Sequence, residues 1–175
     1  RAAGRFALDF EFLWERTYRP IPCLAQIAVD ERVWIVDPIA GAPLEAIAQL
    51  VADPSVATIM HAPSADLMLL AMHFGTHPSA VFDVQLIAGF VGLGAATGGE
   101  VVVEDVEPDD LISIVPAFRK LGIEMEVEER SVRVPAGQRL VIEDDLGGQI
   151  PKIDSGVWPA FPADLTSIAL AVATQ

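Results

Sequence analysis

The chain has 175 residues, a formal net charge of −14 and a single cysteine, Cys23. One cysteine argues against a disulfide-stabilised fold, and charged residues or prolines interrupt the apolar runs before they reach the length of a membrane span. We therefore expect a cytoplasmic protein of one or two domains without membrane association, in which Cys23 is a thiol within the apolar core.

Residues 5–12 predict a strand with one apolar face and one acidic face. Alternation places Asp9 and Glu11 two residues apart on the second face. A cation between these carboxylates would relieve their repulsion, and hard oxygen ligands of this kind suit Mg²⁺ or Mn²⁺. A simply solvated outer face is the alternative interpretation of the same pattern. The apolar face consists of Phe6, Leu8, Phe10 and Phe12.

The rest of the first half predicts three early strands followed by alternation of strand and helix. This order is typical of a mixed sheet flanked by helices, a ribonuclease H-like α/β arrangement. Pro43 at a first-turn position, followed by an apolar stripe, favours the first helix. The further strands are predicted near 22–29, 32–36 and 57–61, the helices near 43–52, 64–74 and 83–92, and the stripe at Leu44, Ile47, Ala48 and Val51.

The helix predicted from residue 64 carries an acidic residue, Asp66, in its first turn. We predict Ser64 as its N-cap, because a serine side chain can accept a hydrogen bond from a free backbone N–H of the first turn. The helix dipole alone also favours an acidic residue here, so Asp66 is either a ligand or a capping residue. The predicted apolar stripe consists of Leu67, Leu70, Ala71 and Phe74.

Three motifs in the first half follow one another in a recognisable order. They are Asp9-Phe10-Glu11, His61-Ala62-Pro63-Ser64-Ala65-Asp66-Leu67 and Phe82-Asp83-Val84-Gln85. In these motifs residues 1–92 resemble the ribonuclease D branch of the DEDD 3′–5′ exonucleases, although that family usually has Asp-Thr where this chain has Asp83-Val84.

The resemblance implies that two metal ions hydrolyse phosphodiester bonds at the 3′ end of a single-stranded nucleic acid, with RNA favoured over DNA. Asp9, Glu11 and Asp66 would be the catalytic residues and would bind two Mg²⁺ or Mn²⁺ ions. The substrate-binding residues would be Arg19, His61 and Asp83, with His61 in a supporting role at a strand end.

The family's fourth carboxylate, the aspartate of a Tyr-x-x-x-Asp motif, has no counterpart here. Tyr18 is the only tyrosine of the chain and comes far too early for that motif. Three metal ligands are present without the tyrosine that positions the attacking water in the family. We therefore predict impaired hydrolysis, with a non-catalytic nucleic-acid-binding module as the alternative.

The second half carries a different set of motifs. They are Thr97-Gly98-Gly99-Glu100-Val101, Val106 to Leu111, Phe118-Arg119-Lys120-Leu121-Gly122 and Trp158-Pro159-Ala160-Phe161-Pro162-Ala163-Asp164-Leu165. Here the chain resembles a fragment of the UDP-N-acetylglucosamine enolpyruvyl transferases (1-carboxyvinyltransferases). The resemblance implies UDP-N-acetylglucosamine as an alternative ligand and Asp164 as the catalytic general base. On the residues alone, Asp164 at a helix start is equally well explained as a cap.

The second half predicts one α+β unit, a βαβ-type repeat of the transferase. A strand after the Thr97 to Val101 motif precedes a helix over 108–121, which Pro116 should kink and Gly122 should close. Short strands follow at Met125–Val127 and Val132–Val134, and an apolar helix pattern begins at Leu165.

We predict two domains, an exonuclease domain over 1–94 that is truncated before its third motif and a transferase-like fragment over 95–175. They join at Phe90–Ala96, a stretch compatible with both families and without the exposed linker of a natural fusion. This junction favours a chimeric fragment produced by recombination or sequence misassembly. Incomplete folds leave apolar faces exposed, so we expect low stability or aggregation.

The charge is unevenly divided along the chain. Residues 1–95 contain five Lys or Arg against ten Asp or Glu, and the remainder contains six against fifteen. Nucleic-acid binding depends on cations that contact phosphates. The candidate phosphate-binding residues near the acidic strand are Arg16, Arg19 and Arg32. The acidic residues of the second half, Glu124, Glu126, Glu128, Glu129 and Glu143 to Asp145, are predicted to form solvated strand and turn surface.

Overall fold

The computed structural model describes residues 2–156 and 160–175, so Trp158 and Pro159 of the transferase-like motif lie outside the described residues. The chain forms two compact units, Arg1–Val84 and Gln85–Gln175. Each unit has its own sheet, and each is described by itself below.

A five-stranded mixed sheet forms the first unit. Its strand order is β3-β2-β1-β4-β5, with the first three strands antiparallel to one another and β4 and β5 parallel to β1. The predicted ribonuclease H-like mixed sheet is therefore confirmed. The strands are β1 (Arg5–Leu13), β2 (Ile21–Val29), β3 (Arg32–Val36), β4 (Ala57–Met60) and β5 (Val81–Asp83).

One face of this sheet is covered by the two helices of the unit. Helix α1 spans Glu45–Val51 and helix α2 spans Ser64–Phe74. The apolar face of β1 packs into this layer as predicted, because Phe6, Leu8 and Phe10 are buried, whereas Phe12 is half-buried. The α1 stripe of Leu44, Ile47, Ala48 and Val51 is buried in the same core.

Two details of the predicted helix starts are wrong. Ser64 is the first helical residue of α2, and Pro63 occupies the N-cap position without a side-chain cap. Pro43 likewise precedes α1, whose N-cap is Leu44. In both cases the proline ends the preceding segment, since its fixed φ suits an entry into a helix and it has no N–H to donate.

The buried side of α2 is also rotated from the predicted stripe. Leu69 and Leu70 are fully buried with Asp66, whereas Ala71 is exposed. The apolar pattern did not predict this rotation, because the carboxyl group of Asp66 faces inward and lies on the buried side of the helix. Leu67 and Phe74 keep a peripheral place, half-buried against the core.

Cys23 is half-buried, so the prediction of a core thiol is wrong. The β1–β2 register passes from Glu11 opposite Leu24 to Phe12 opposite Pro22, which leaves Cys23 as the extra residue of a β-bulge. A bulged residue is displaced from the regular alternation of faces, so the apolar pattern of the strand did not predict its burial.

Helix α3 (Val84–Thr97) begins the second unit, which also contains an antiparallel sheet of strand order β6-β8-β7. The strands are β6 (Val101–Glu104), β7 (Glu126–Val127) and β8 (Ser131–Val134). The further helices are α4 (Ile114–Lys120) and α5 (Thr166–Ala173), each preceded by a short 3₁₀ turn, at Pro108–Leu111 and Ala163–Leu165 respectively.

Two glycines of the junction stretch let α3 pack closely within this second unit. A Cβ at Gly94 would lie 2.8 Å from a methyl carbon of Val101 on β6. A Cβ at Gly92 would lie 3.1 Å from Val172 of α5. The Phe90–Ala96 stretch thus contributes to the core of the second unit, and it is helical throughout.

The predicted helix over 108–121 is divided in two. The break falls before Pro116, which is the third residue of α4, where a missing N–H costs no intrahelical hydrogen bond. The predicted closure on Gly122 is confirmed by its φ of +80°, a left-handed conformation that glycine adopts without strain.

The acidic residues predicted to be solvated are exposed, namely Glu124, Glu126, Glu128, Glu129 and Glu143 to Asp145. On the outer face of the small sheet, Arg133 of β8 forms ion pairs with Glu100 and with Glu126 of β7. Arg130 pairs with Asp105 at 3.0 Å and with Glu107 at 3.6 Å. These arginines are engaged with carboxylates, so they are not free cations for a polyanionic ligand. Among residues 2–156 and 160–175, no helix has the length and apolarity to cross a membrane.

Candidate active site

Asp9 and Glu11 lie on the open face of the five-stranded sheet. Both residues are exposed, while Phe6, Leu8 and Phe10 on the other face of β1 are buried beneath α1 and α2. Asp9 lies opposite Gln26 of β2, and the Gln26 side-chain amide donates a hydrogen bond to the Asp9 carboxylate at 3.4 Å. The predicted acidic face therefore exists in the structure.

Asp66 is the carboxylate that the fold brings to this strand. It lies in the first turn of α2 and is only 7% exposed. Its Oδ1 accepts a hydrogen bond of 3.0 Å from the backbone N–H of Phe10, the residue between Asp9 and Glu11. This contact joins residues 56 positions apart and places the second motif against the first.

The protonation of Asp66 reflects these surroundings. The pKa of Asp66 is raised from 3.8 to about 6, mainly by burial and to a smaller extent by the nearby charges of Asp9 and Glu11. Hydrogen bonds from the backbone N–H groups of Phe10 and of Asp66 itself oppose the rise. The three carboxylates are therefore close enough to affect one another electrostatically.

The bulge at Cys23 lies directly across from the acidic residues. The register of β1 and β2 shifts between Glu11 and Phe12, at the end of the acidic segment. Bulges bend a strand and change the direction in which adjacent side chains point, and they occur often beside functional sites. The bulge is a feature that the sequence analysis missed, because the apolar run of β2 is uninterrupted at Cys23.

His61 and Asp83 lie at the ends of neighbouring parallel strands. His61 follows the last residue of β4, as predicted, and Asp83 is the last residue of β5. The Asp83 carboxylate accepts a hydrogen bond of 3.1 Å from the backbone N–H of Ala62, whose φ is +49°. Asp83 thereby supports the turn that leads from β4 into α2 and Asp66.

The remaining predicted site residues lie elsewhere. Arg19 is exposed in the loop between β1 and β2. Asp164 belongs to the second unit, where it is exposed within the 3₁₀ turn that precedes α5. The fold therefore brings together Asp9, Glu11 and Asp66, with Asp83 acting on the adjoining turn.

The donor set suits a hard divalent cation in chemical terms, since it consists of carboxylate oxygens with an elevated density of negative charge. A cation there would offset the repulsion that raises the pKa of Asp66. In the described parts of the chain, however, no three His, Cys, Asp or Glu side chains are already close enough together to form a complete metal-binding group.

Together these features define a ribonuclease H-like α/β protein with a carboxylate site at the junction of β1 and α2. A family model described as 3′–5′ exonuclease matches residues 1–129, and the chain belongs to this family. The match covers the whole of the first unit and continues into the second.

Individual relatives fall into two groups, which confirms both resemblances predicted from the sequence. Ribonuclease D of Desulfotalea psychrophila is 41% identical over 86 residues, which are 49% of this chain and 23% of that protein. UDP-N-acetylglucosamine 1-carboxyvinyltransferase of Treponema denticola is 47% identical over 93 residues, which are 53% of this chain and 22% of that protein. The chain thus spans less than a quarter of the length of these relatives.

Among solved structures, ribonuclease D of Escherichia coli is similar to this chain with a TM-score of 0.47 and 34% sequence identity. The similarity covers 52% of this chain and 24% of the Escherichia coli chain.

Proposed function

We propose that the first unit carries the carboxylate site of a metal-dependent 3′–5′ exonuclease that acts on single-stranded nucleic acid, with RNA preferred to DNA. The observation that supports this proposal most strongly is the hydrogen bond from the Phe10 N–H to the buried Asp66 carboxylate. A buried carboxylate with a pKa of about 6 is a costly feature for stability alone, and such groups concentrate at functional sites.

Asp9, Glu11 and Asp66 are the proposed ligands of two Mg²⁺ or Mn²⁺ ions. When bound, such ions generate hydroxide from water near neutral pH and stabilise the oxygen that leaves the phosphate. Asp66 presents its carboxylate in a fixed direction because the Phe10 N–H holds one of its oxygens. Asp9 is similarly oriented by the Gln26 amide.

Arg19, His61 and Asp83 are the proposed substrate-binding residues. Arg19 offers an exposed guanidinium for a phosphate. The hydrogen bond between Asp83 and Ala62 supports a positioning role for Asp83, since it stabilises the turn beside His61. We infer for His61 a supporting contact with the nucleotide.

Hydrolysis by this chain is proposed to be slow. The sequence contains no Tyr-x-x-x-Asp motif, so the group that positions the attacking water in the family is missing together with the fourth carboxylate. We therefore expect metal binding that depends on the three carboxylates, with little turnover of an oligonucleotide.

Calorimetric titration with Mn²⁺ and a gel assay of a 5′-labelled single-stranded RNA test these two expectations separately. Asp9→Asn and Asp66→Asn should abolish Mn²⁺ binding, while Glu45→Gln, a change at an exposed carboxylate of α1, should leave it intact. Unchanged Mn²⁺ binding in Asp9→Asn would refute the metal assignment. Rapid trimming of the RNA from its 3′ end would refute the predicted impairment.

A second candidate function rests on the 47% identity to a UDP-N-acetylglucosamine 1-carboxyvinyltransferase. Under this proposal residues 95–175 are a fragment of a transferase domain, and Asp164 is the inherited general base. Binding of UDP-N-acetylglucosamine that is abolished in Asp164→Ala and kept in Asp154→Ala would support it. If the unaltered chain does not bind UDP-N-acetylglucosamine, the sequence similarity reflects common ancestry and not a retained function.

We also propose that the boundary between the two domains lies between residues 94 and 95 and that the chain is a chimera. The alignments to the Treponema denticola transferase and to ribonuclease D cover 93 and 86 residues, which together exceed the 175 residues of the chain, so they share residues. Such sharing agrees with a changeover inside a segment common to both families. A single sequencing read of source DNA across codons 80 to 110 distinguishes a continuous gene from two genes joined artificially.

A further inference from the structure

The loop between β1 and β2 presents an aromatic side chain between two cations. Tyr18 is 89% exposed, and Arg16 and Arg19 on either side of it are exposed as well. A tyrosine ring that is this exposed to water does not stabilise the fold, because it buries almost no apolar area. This chemistry, a flat apolar ring flanked by guanidinium groups, matches that of an unpaired nucleotide.

The base of this loop packs against the first unit, while residues 15–19 are exposed. On one side, the Phe12 and Trp14 rings pack edge to face with centroids 6.3 Å apart. On the other side, Pro20 is buried and its carbonyl oxygen lies 2.6 Å from His73 Nε2 of α2. The loop therefore projects its tip from an anchored frame.

Thr17, between Arg16 and Tyr18, donates a hydrogen bond from its hydroxyl to the carbonyl oxygen of Leu13. No hydrogen bond or ion pair to another described residue involves Arg16, Tyr18 or Arg19. The arginines of the second unit differ, since Arg130 and Arg133 are paired with carboxylates. Arg16 and Arg19 have no partner among the described residues, and with one carboxylate, Glu15, in the same loop they leave it a net positive charge that attracts a polyanion.

The position of the loop relates it to the carboxylates. Leu13, the last residue of β1, lies two residues beyond Glu11, which is about 7 Å along a strand. The loop starts at the next residue. A single strand held at the loop tip can therefore extend to the acidic face of β1 within a few nucleotides.

We propose that Tyr18 is a stacking platform for one base of a single-stranded nucleic acid and that Arg16 and Arg19 bind the phosphates on either side. The proposal rests on the proposed function for the identity of the ligand but requires neither metal binding nor hydrolysis. Stacking on a tyrosine face is tolerant of base identity, so the site selects unpaired strands without reading sequence.

Fluorescence anisotropy of a labelled single-stranded RNA, measured with EDTA present so that no metal contributes, tests the platform. Loss of base stacking costs about 1–3 kcal/mol, so Tyr18→Ala should weaken binding about 5- to 150-fold. Tyr18→Phe keeps the ring and should bind like the unaltered chain. On an abasic strand of equal length, which offers phosphates without bases, Tyr18→Ala should have no effect.

The arginines are tested by the dependence of binding on salt. For a single strand, each phosphate that the protein no longer neutralises reduces the slope of log K against log salt by about 0.7. Arg16→Gln and Arg19→Gln should each show this reduction, whereas Arg139→Gln, a matched change at an exposed arginine of the second unit, should not.

Two results would overturn the proposal. One is RNA binding that is unchanged in Tyr18→Ala or weakened equally on the abasic strand; the other is an unaltered chain that does not bind RNA at all. Binding that behaves as expected, together with no hydrolysis in the presence of Mn²⁺, would retain the platform and reject only the exonuclease activity.

Discussion

Replacing Asp66 with asparagine should stabilise the protein at alkaline pH and have a smaller effect at acidic pH. The pKa of Asp66 in the folded chain is about 6, against 3.8 for an unperturbed group. The folded state therefore binds the proton more tightly than the unfolded state. As a result, the contribution of Asp66 to the free energy of unfolding is most favourable where Asp66 is protonated in both states. This contribution falls as the pH rises from 3.8 through about 6.

The size of this effect follows from the interval between pH 5 and the folded pKa of about 6, which corresponds to about 1.4 kcal/mol without solvent screening. Water at the open face screens part of it, so we expect about 1 kcal/mol or slightly less. Asparagine keeps an oxygen for the Phe10 N–H and removes the charge. Relative to the unaltered chain, Asp66→Asn should thus gain about 1 kcal/mol more at pH 8 than at pH 5.

Urea unfolding of both chains at pH 5 and pH 8, in EDTA, measures this difference directly. Comparing the two chains at each pH removes the contributions of all other titrating groups. An equal difference at both pH values would refute the raised pKa and with it the electrostatic coupling of the three carboxylates. Mn²⁺ at pH 8 should stabilise the unaltered chain and not Asp66→Asn.

Three further changes test the packing. Gly122→Ala should lower the free energy of unfolding by more than about 3 kcal/mol, because a Cβ there would lie 2.6 Å from the Val141 backbone nitrogen. The control Gly137→Ala, at φ +69° with open space around it, should lower it by only about 1–2 kcal/mol. Equal urea midpoints for the two variants would contradict this prediction. Thr58→Val should raise the free energy of unfolding by about 1 kcal/mol, since the buried Thr58 hydroxyl has no hydrogen-bond partner among the residues that the structure describes, and a decrease would count against it. Ile35→Lys, at a position 66% exposed on edge strand β3, should reduce aggregation and dye binding while changing the free energy of unfolding by less than about 0.5 kcal/mol, and unchanged light scattering would contradict it.

Local patterns in the sequence predicted the strands and the carboxylate doublet well. The alternation in β1 requires no partner to be recognised, because burial of Phe6, Leu8 and Phe10 leaves only the opposite face for Asp9 and Glu11. The prediction for α2 was less complete. Its helix bounds were correct, but its buried side was rotated, since a pattern of apolar residues does not indicate that a carboxylate such as Asp66 faces inward.

The sequence by itself determined which residues could form strands and helices, and it placed Asp9 beside Glu11 through the two-residue period of a strand. Only the tertiary structure decided that Asp66 joins them, since that depends on the parallel pairing of β1 with β4 and on the turn at Ala62. The bulge at Cys23 and the anchoring of the Tyr18 loop by His73 were likewise decided by contacts between distant segments. Such contacts arise from the packing of the whole sheet, and no local pattern encodes them.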